Sequence, residues 1–276
     1  MPPWGCCPAA AVLGRLGIDS TGPKSRDRAA RTSTTRRVPS PLAPAAVVAD
    51  FLPLMPTPIS RVPFHWHSFD LRAELPAGWQ IAILDVAENR ARARTLVPTS
   101  VTSRESSADM EIAALTVGGK TVASELPWLY GLYCNRLREL AQEISPEPLS
   151  AAVDVRYAIN LNVQRGRAMR YECHVDSNPI QGLLYVTDHP PGSGGELVVS
   201  NLGDVAGVEE VDRDATRIHP VAGYLVLFDA RHHTHYVAGV ERDDALRVVA
   251  AMNFYTPSCP ESSRPTDLND HLFGTG

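Results

Sequence analysis

The chain has 276 residues, 44% hydrophobic and 21% charged, with a net charge of −5 at pH 7. That usage fits an ordinary globular protein with chain enough for one large domain or two small ones. The negative balance gives no general attraction to nucleic acid or anionic membrane, and no run of 18 or more apolar residues marks a spanning helix.

Residues 1–45 differ from the rest. From Gly14 to Pro44 the chain is rich in Arg, Ser, Thr, Pro and Ala, with few acids. Such a stretch buries too little apolar surface to offset its ordering entropy. It reads as a disordered leader or as a translation start placed too early, ahead of one domain over 46–276. The five cysteines, Cys6, Cys7, Cys134, Cys173 and Cys259, form no CxxC pair. They read as reduced thiols of a cytoplasmic protein.

Pro53, Pro56, Pro58 and Pro63 then break the chain into extended pieces. The apolar run Gln80–Val86 predicts a strand, and the polar, Ser-rich residues 99–111 predict a surface loop. One helix reads clearly. Ser124 can cap it, Pro127 suits its first turn and Pro146 stops it, while Leu129, Leu132, Tyr133, Leu137, Leu140 and Ile144 recur at helical spacing.

From Val153 the pattern changes to strands. Residues 155–164 alternate, with Tyr157, Ile159, Leu161 and Val163 on one face and Arg156, Asn160, Asn162 and Gln164 on the other. Further strands are expected at Ile180–Thr187, Glu196–Ser200, Tyr224–Asp229 and Leu246–Tyr255. Short strands between Gly/Pro turns predict a mainly β fold with flanking helices. Its core, about 153–257, is expected to be a double-sheet barrel of jelly-roll type.

The chemistry concentrates in His174-Val175-Asp176 and in a later histidine-rich stretch, 231–237. Two imidazoles and a carboxylate can hold iron(II) on one triangular face and leave the opposite face open. His-x-Asp on a strand points both side chains to one side. His233 and His235 share a face, so spacing leaves both open as the third ligand. His235 is favoured by its His-x-Val setting, with His233 as a substrate-side residue. Arg247 lies in the apolar strand Leu246–Ala251, where a lone guanidinium is costly unless an anion meets it. A dicarboxylate would meet it with two parallel hydrogen bonds. Arg242 competes for that role from a charged turn. Asn160, Asn162 and Asn253 are candidates for the substrate wall.

The ordered set Tyr171–Asp176, Leu183–Thr187, Gly194–Leu197, Pro220–Phe228, His235–Val237 and Arg247 resembles the iron(II)- and 2-oxoglutarate-dependent dioxygenases, in particular their prolyl-hydroxylase-like branch. The resemblance covers roughly residues 155–257 and implies a double-stranded β-helix. It implies His174, Asp176 and His235 as iron ligands. It makes Arg247 the partner of the distal carboxylate of 2-oxoglutarate, Tyr185 a donor to that carboxylate, and Tyr171 a lining residue of the same pocket. The implied activity is hydroxylation of a C–H bond with dioxygen as co-substrate and release of succinate and carbon dioxide. A small molecule, such as a free or carrier-bound amino acid, is the expected substrate, with a peptidyl hydroxylase, a cupin-like metal-binding sensor and a zinc hydrolase as rivals. No nucleic-acid or membrane partner is expected.

Overall fold

The computed structural model describes residues 65–96, 101–105 and 112–265. The expected leader over 1–45 and His271 lie outside them. In chain order the elements are β1 (Trp66–Asp70), α1 (Trp79–Arg90), β2 (Arg92–Leu96), β3 (Ile112–Val117), α2 (Gly119–Glu125) and α3 (Pro127–Leu132). A π-helical turn (Tyr133–Leu137) joins α3 to α4 (Arg138–Gln142). Then come β4 (Ser150–Ala151), α5 (Val155–Ala158), β5 (Ile159–Arg165), β6 (Tyr171–His174), β7 (Ile180–Tyr185) and β8 (Leu197–Ser200). The last elements are α6 (Gly207–Arg213), β9 (Ala215–Ile218), β10 (Tyr224–Asp229), β11 (His235–Val237) and β12 (Leu246–Tyr255).

All strand pairings are antiparallel, in two sheets. The larger runs β1-β10-β7-β12-β5-β3-β2, with β4 also on β12, and the smaller runs β6-β11-β8-β9. The arrangement is a jelly-roll barrel, mainly β with flanking helices.

Strand alternation divides the core in two. On β12, Val248, Ala250, Met252 and Phe254 face the helices, while Val249 and Ala251 face the barrel interior. On β7, Ile180 and Leu184 join the helical side, and Leu183 and Tyr185 the interior. The helical side holds most of the large buried residues, among them Ile83, Leu129, Tyr133 and Leu137. Burying each such side chain stabilises the fold by roughly 1.5–3 kcal/mol. The interior keeps only a thin apolar floor, which leaves room for a cleft. Tyr133 links the layers. Its hydroxyl donates to the Asn253 carbonyl (2.6 Å) and accepts from the Ala152 amide (2.7 Å).

Three expectations need correction. Gln80–Val86 is helical, part of α1. Ile83, Val86 and Ala87 form its buried stripe and Ile81 is 75% exposed, so a helical face outweighs the β propensity of the run. Ser124 lies inside α2 and bonds back to Thr121, while α3 starts at Pro127 without a side-chain cap. The strand expected from Val155 begins only at Ile159, because Asp154 accepts the Arg156 amide and caps the short helix α5. Within the expected loop, residues 101–105 pair with β6. Ser103 bridges His174, and the Arg104 amide donates to the Cys173 carbonyl (2.8 Å). No helix among the described residues is long and apolar enough to cross a membrane.

Candidate metal centre and its cleft

Two neighbouring strands of the smaller sheet bring the three metal-ligand candidates together. His235 on β11 sits directly opposite His174 on β6. Asp176 lies just beyond β6, where its own amide donates to the Ala230 carbonyl (2.8 Å). The ligand atoms of all three lie within 4.8 Å of one another. His174 Nε2 is 3.3 Å from Asp176 Oδ1, and His235 Nε2 is 3.9 Å from Oδ2.

The backbone orients both imidazoles. His174 Nδ1 sits 2.7 Å from the Glu172 carbonyl and His235 Nδ1 sits 3.0 Å from the His233 carbonyl. Each Nδ1 therefore carries a proton, which leaves each Nε2 facing the shared space as the atom that would meet a metal. This bracing also raises ligand basicity. Burial pushes the His174 pKa down, but the Asp176 hydrogen bond and charge outweigh it and hold the group above its ordinary value. Burial, reinforced by His174, lowers His235 to about 4. Burial raises the Asp176 carboxyl, yet the His174 hydrogen bond and the charges of His235, His174 and Arg264 keep it below the usual carboxylate range. A carboxylate beside two backbone-braced imidazoles is the donor set that a divalent ion takes.

The triad stands at a cleft of about 940 Å³, its open mouth included. Leu183, Leu197, Phe228, Val237, Val249 and Ala251 form the apolar floor. Arg247 enters from β12 and is 1% exposed. Its Nε donates to the Gly195 carbonyl (2.6 Å), while its Nη2 has no hydrogen-bond partner among the described residues. The Tyr185 hydroxyl is likewise buried and without a partner, and the guanidinium carbon lies 5.7 Å from its ring centre. Burial lowers the Arg247 pKa and pushes the Tyr185 phenol up to about 12 against the pull of Arg247, so Tyr185 keeps its proton to donate. Two buried donors without acceptors in one corner fit a carboxylate. Gly195 makes this corner possible. Its φ is +78°, and a Cβ there would stand 3.0 Å from Arg247 Cδ.

The other expected residues separate into two groups. Tyr171 lines the cleft, its ring centre 5.4 Å from that of His174. Asn160, Asn162 and Asn253 also line it. His233 does not. It precedes β11, so strand alternation does not reach it, and its Nδ1 is 2.8 Å from the Ser200 carbonyl at the end of the neighbouring strand β8. Arg242 is 74% exposed and paired with Asp244, which removes it as a rival to Arg247. Cys173 packs with Val198, Val211 and Tyr236, away from the triad.

Several lining residues carried no motif in the sequence. Arg264 follows β12 and donates to Ser177 Oγ and the Tyr255 hydroxyl, each at 3.3 Å. Arg170 lines the mouth and meets Glu105 Oε1 at 2.6 Å. The Gln181 amide, with its nitrogen turned toward acceptors, donates to Asp176 Oδ2 (3.2 Å) and Asn253 Oδ1 (2.7 Å). Only the inward position of Gln164, two residues beyond Asn162, was readable beforehand.

No protein-family model and no curated protein matches the chain. Solved structures do. The chain is similar to the non-haem alpha-ketoglutarate-dependent epimerase SnoN from nogalamycin biosynthesis, at TM-score 0.51 and 16% identity over 76% of this chain and 86% of that one. SnoN in complex with Fe3+, alpha-ketoglutarate and nogalamycin RO gives TM-score 0.50 at 17% identity, over 76% and 86% of the two chains. AviO1 from Streptomyces viridochromogenes Tue57 gives 0.50 at 18%, over 72% and 92%. The chain shares the fold of these proteins.

Proposed function

We propose that the protein is an iron(II)- and 2-oxoglutarate-dependent oxygenase that hydroxylates a C–H bond of a small molecule, acting as one domain over 46–276. The observation that carries this reading is the pairing of an open-faced His174–Asp176–His235 triad with two partnerless donors, Arg247 Nη2 and the Tyr185 hydroxyl, in one cleft. A metal-binding sensor or a zinc hydrolase needs the triad alone. Neither accounts for a buried arginine whose guanidinium has a hydrogen bond left to make.

In this reading His174, Asp176 and His235 hold the iron, Arg247 and Tyr185 bind the tail carboxylate of 2-oxoglutarate, and Tyr171 lines the same pocket. Bound at these residues, iron(II) and 2-oxoglutarate would supply the activation of dioxygen, one oxygen atom leaving in succinate beside carbon dioxide and the other entering a substrate C–H bond. The chain's own residues orient and exclude. Arg247, fixed by the Gly195 carbonyl, sets the position of the co-substrate's tail. Leu183, Phe228 and Val249 keep water from its carbon chain. The carboxylate of Asp176 completes the ligand set and leaves no gap in it for a halide, which favours hydroxylation over halogenation.

The fold shared with SnoN, an alpha-ketoglutarate-dependent epimerase, supports the cofactor assignment. For the substrate, the cleft supports a small polar molecule. An amino acid, free or carrier-bound, was the expectation from sequence, and Asn160, Asn162 and Asn253 on the wall are compatible with it. The decisive experiment is succinate release from 2-oxoglutarate by the purified chain with iron(II), dioxygen and ascorbate. Turnover that needs iron and dioxygen is expected. Activity supported by zinc without dioxygen would replace this reading with a hydrolase.

A further inference from the structure

The wall made by β5 carries carboxamides at period two, Asn160, Asn162 and Gln164, all turned into the cleft. Gln164 is the informative one. It is 4% exposed, and its Nε2 donates to the Met169 carbonyl (3.3 Å) and the Ala238 carbonyl (3.2 Å). Those two bonds fix which end of the amide is which. The Oε1 is left buried and without a hydrogen-bond partner among the described residues. A buried acceptor left unmet costs roughly 1–3 kcal/mol, so its persistence marks a position that a donor fills.

The co-substrate is not that donor. 2-Oxoglutarate at neutral pH carries only acceptors. Yet Gln164 pairs in register with Arg247 on the adjoining strand, so the unmet oxygen lies beside the co-substrate corner. Two residues back, Asn162 Oδ1 accepts from Asn160 Nδ2 (2.6 Å). No other hydrogen bond of these two amides occurs among the described residues, which leaves the Asn162 nitrogen to donate and the Asn160 oxygen to accept. The wall thus offers acceptor, donor, acceptor along one strand, a pattern matched by neighbouring hydroxyl groups, each of which donates and accepts.

Charge narrows the choice further. Asp176 is the sole carboxylate among the residues lining the cleft, and the metal takes it. Arg170 and Arg264 also line the cleft. A cationic group of a substrate, such as an ammonium, would find no other carboxylate in the lining to meet it, and desolvating an unpaired cation is costly.

We infer that the substrate is a neutral polyhydroxylated molecule of sugar or cyclitol type, and that Gln164 is a specificity-determining residue that accepts from one of its hydroxyls. This rests on the oxygenase reading above and narrows it away from amino acids. The apolar floor under the carboxamides suits the carbon-bearing face of such a ring.

The test uses the full chain loaded with manganese(II) and 2-oxoglutarate, with proton relaxation of methyl glucoside and myo-inositol compared with that of leucine and lysine at equal concentration. Binding at the metal speeds relaxation even for weak ligands. The polyols are expected to relax at least three times faster than the amino acids. Gln164→Met, similar in size, should cut the polyol effect about fivefold, as loss of one hydrogen bond of about 1 kcal/mol predicts. Larger enhancement for the amino acids, none for the polyols, or a polyol effect untouched by the substitution overturns the inference. If the variant fails to fold, the wild-type comparison decides alone. Succinate formed from 2-oxoglutarate without polyol selectivity sinks this inference and spares the oxygenase reading. Failure of iron-dependent succinate formation removes both.

Discussion

The two ends of the cleft treat buried polarity in opposite ways. At the metal end the protein supplies its own bracing. Both Nδ1 atoms are tied to backbone carbonyls, and Asp176 is held by its neighbours in the ionised state. At the Arg247 end the bracing is half complete, since Nε is tied to Gly195 while Nη2 and the Tyr185 hydroxyl are left open. A site for an ion needs fixed lone pairs around an empty centre, so the protein finishes the geometry itself. A site for a small dianion needs donors still free, so the ligand finishes it. In the proposed reading the braced end takes the metal and the open end takes the co-substrate.

The largest effect that breaks this contrast is at the triad. Asp176→Ala should lower iron-dependent succinate formation by more than about 100-fold, because even residues that merely support a ligand cost 10–100-fold. Bound iron, measured by elemental analysis, should fall with it, and retention of iron would contradict the assignment. At the other end, Arg247→Met should raise the KM for 2-oxoglutarate roughly 100-fold, as expected for loss of charge-assisted hydrogen bonds worth about 1.5–3 kcal/mol each. The same substitution should raise the melting temperature of the ligand-free protein, because it removes a buried charge that no carboxylate meets. A lower melting temperature with an unchanged KM would mean that Arg247 is a structural arginine. Tyr185→Phe should raise the same KM about 10-fold, the value of one hydrogen bond to a charged group.

The contrast sharpens further with pH. Metal must displace protons from its ligands. His174 has a raised pKa and His235 one lowered to about 4. As pH falls through the His174 value one proton competes, so metal affinity should drop about tenfold per unit, with a second proton entering only near pH 4. In the metal-free protein the two histidines act on stability with opposite sign. His235 binds fewer protons folded than unfolded, so its contribution is lost as pH falls from about 6.5 toward 4. His174 binds more, so its contribution is present at low pH and lost as pH rises through its folded value. Nickel(II) titrations between pH 4 and 8 check the first claim, and a slope of two protons across the whole range would refute it.

Much of this site was legible in the chain because its strands are short apolar runs between Gly/Pro turns. Tyr224–Asp229 and Leu246–Tyr255 were read to the residue, and with them the inward position of Arg247. The helical layer was harder. Gln80–Val86 is apolar at nearly every position, so its period is hidden, and only packing against the sheet shows that Ile81 faces solvent. His233 was misplaced for a related reason. Alternation holds only inside a strand, and β11 begins two residues later. Gln164 and Arg264 carry no motif. One becomes informative only when the bonds of its amide are known, and the other reaches the cleft from a tail that follows the last strand.

The phenol of Tyr133 has a consequence for anyone who would reshape this protein. One oxygen atom rivets the helical layer to the backbone at Asn253, on the same strand that carries Arg247 six residues earlier. The helices are therefore a splint for the wall that carries Arg247, and changes to their seating reach that wall through this joint as well as through the side chains of β12 packed against them. Libraries aimed at new substrates should vary the rim around Ala113 and Thr116 and leave position 133 alone.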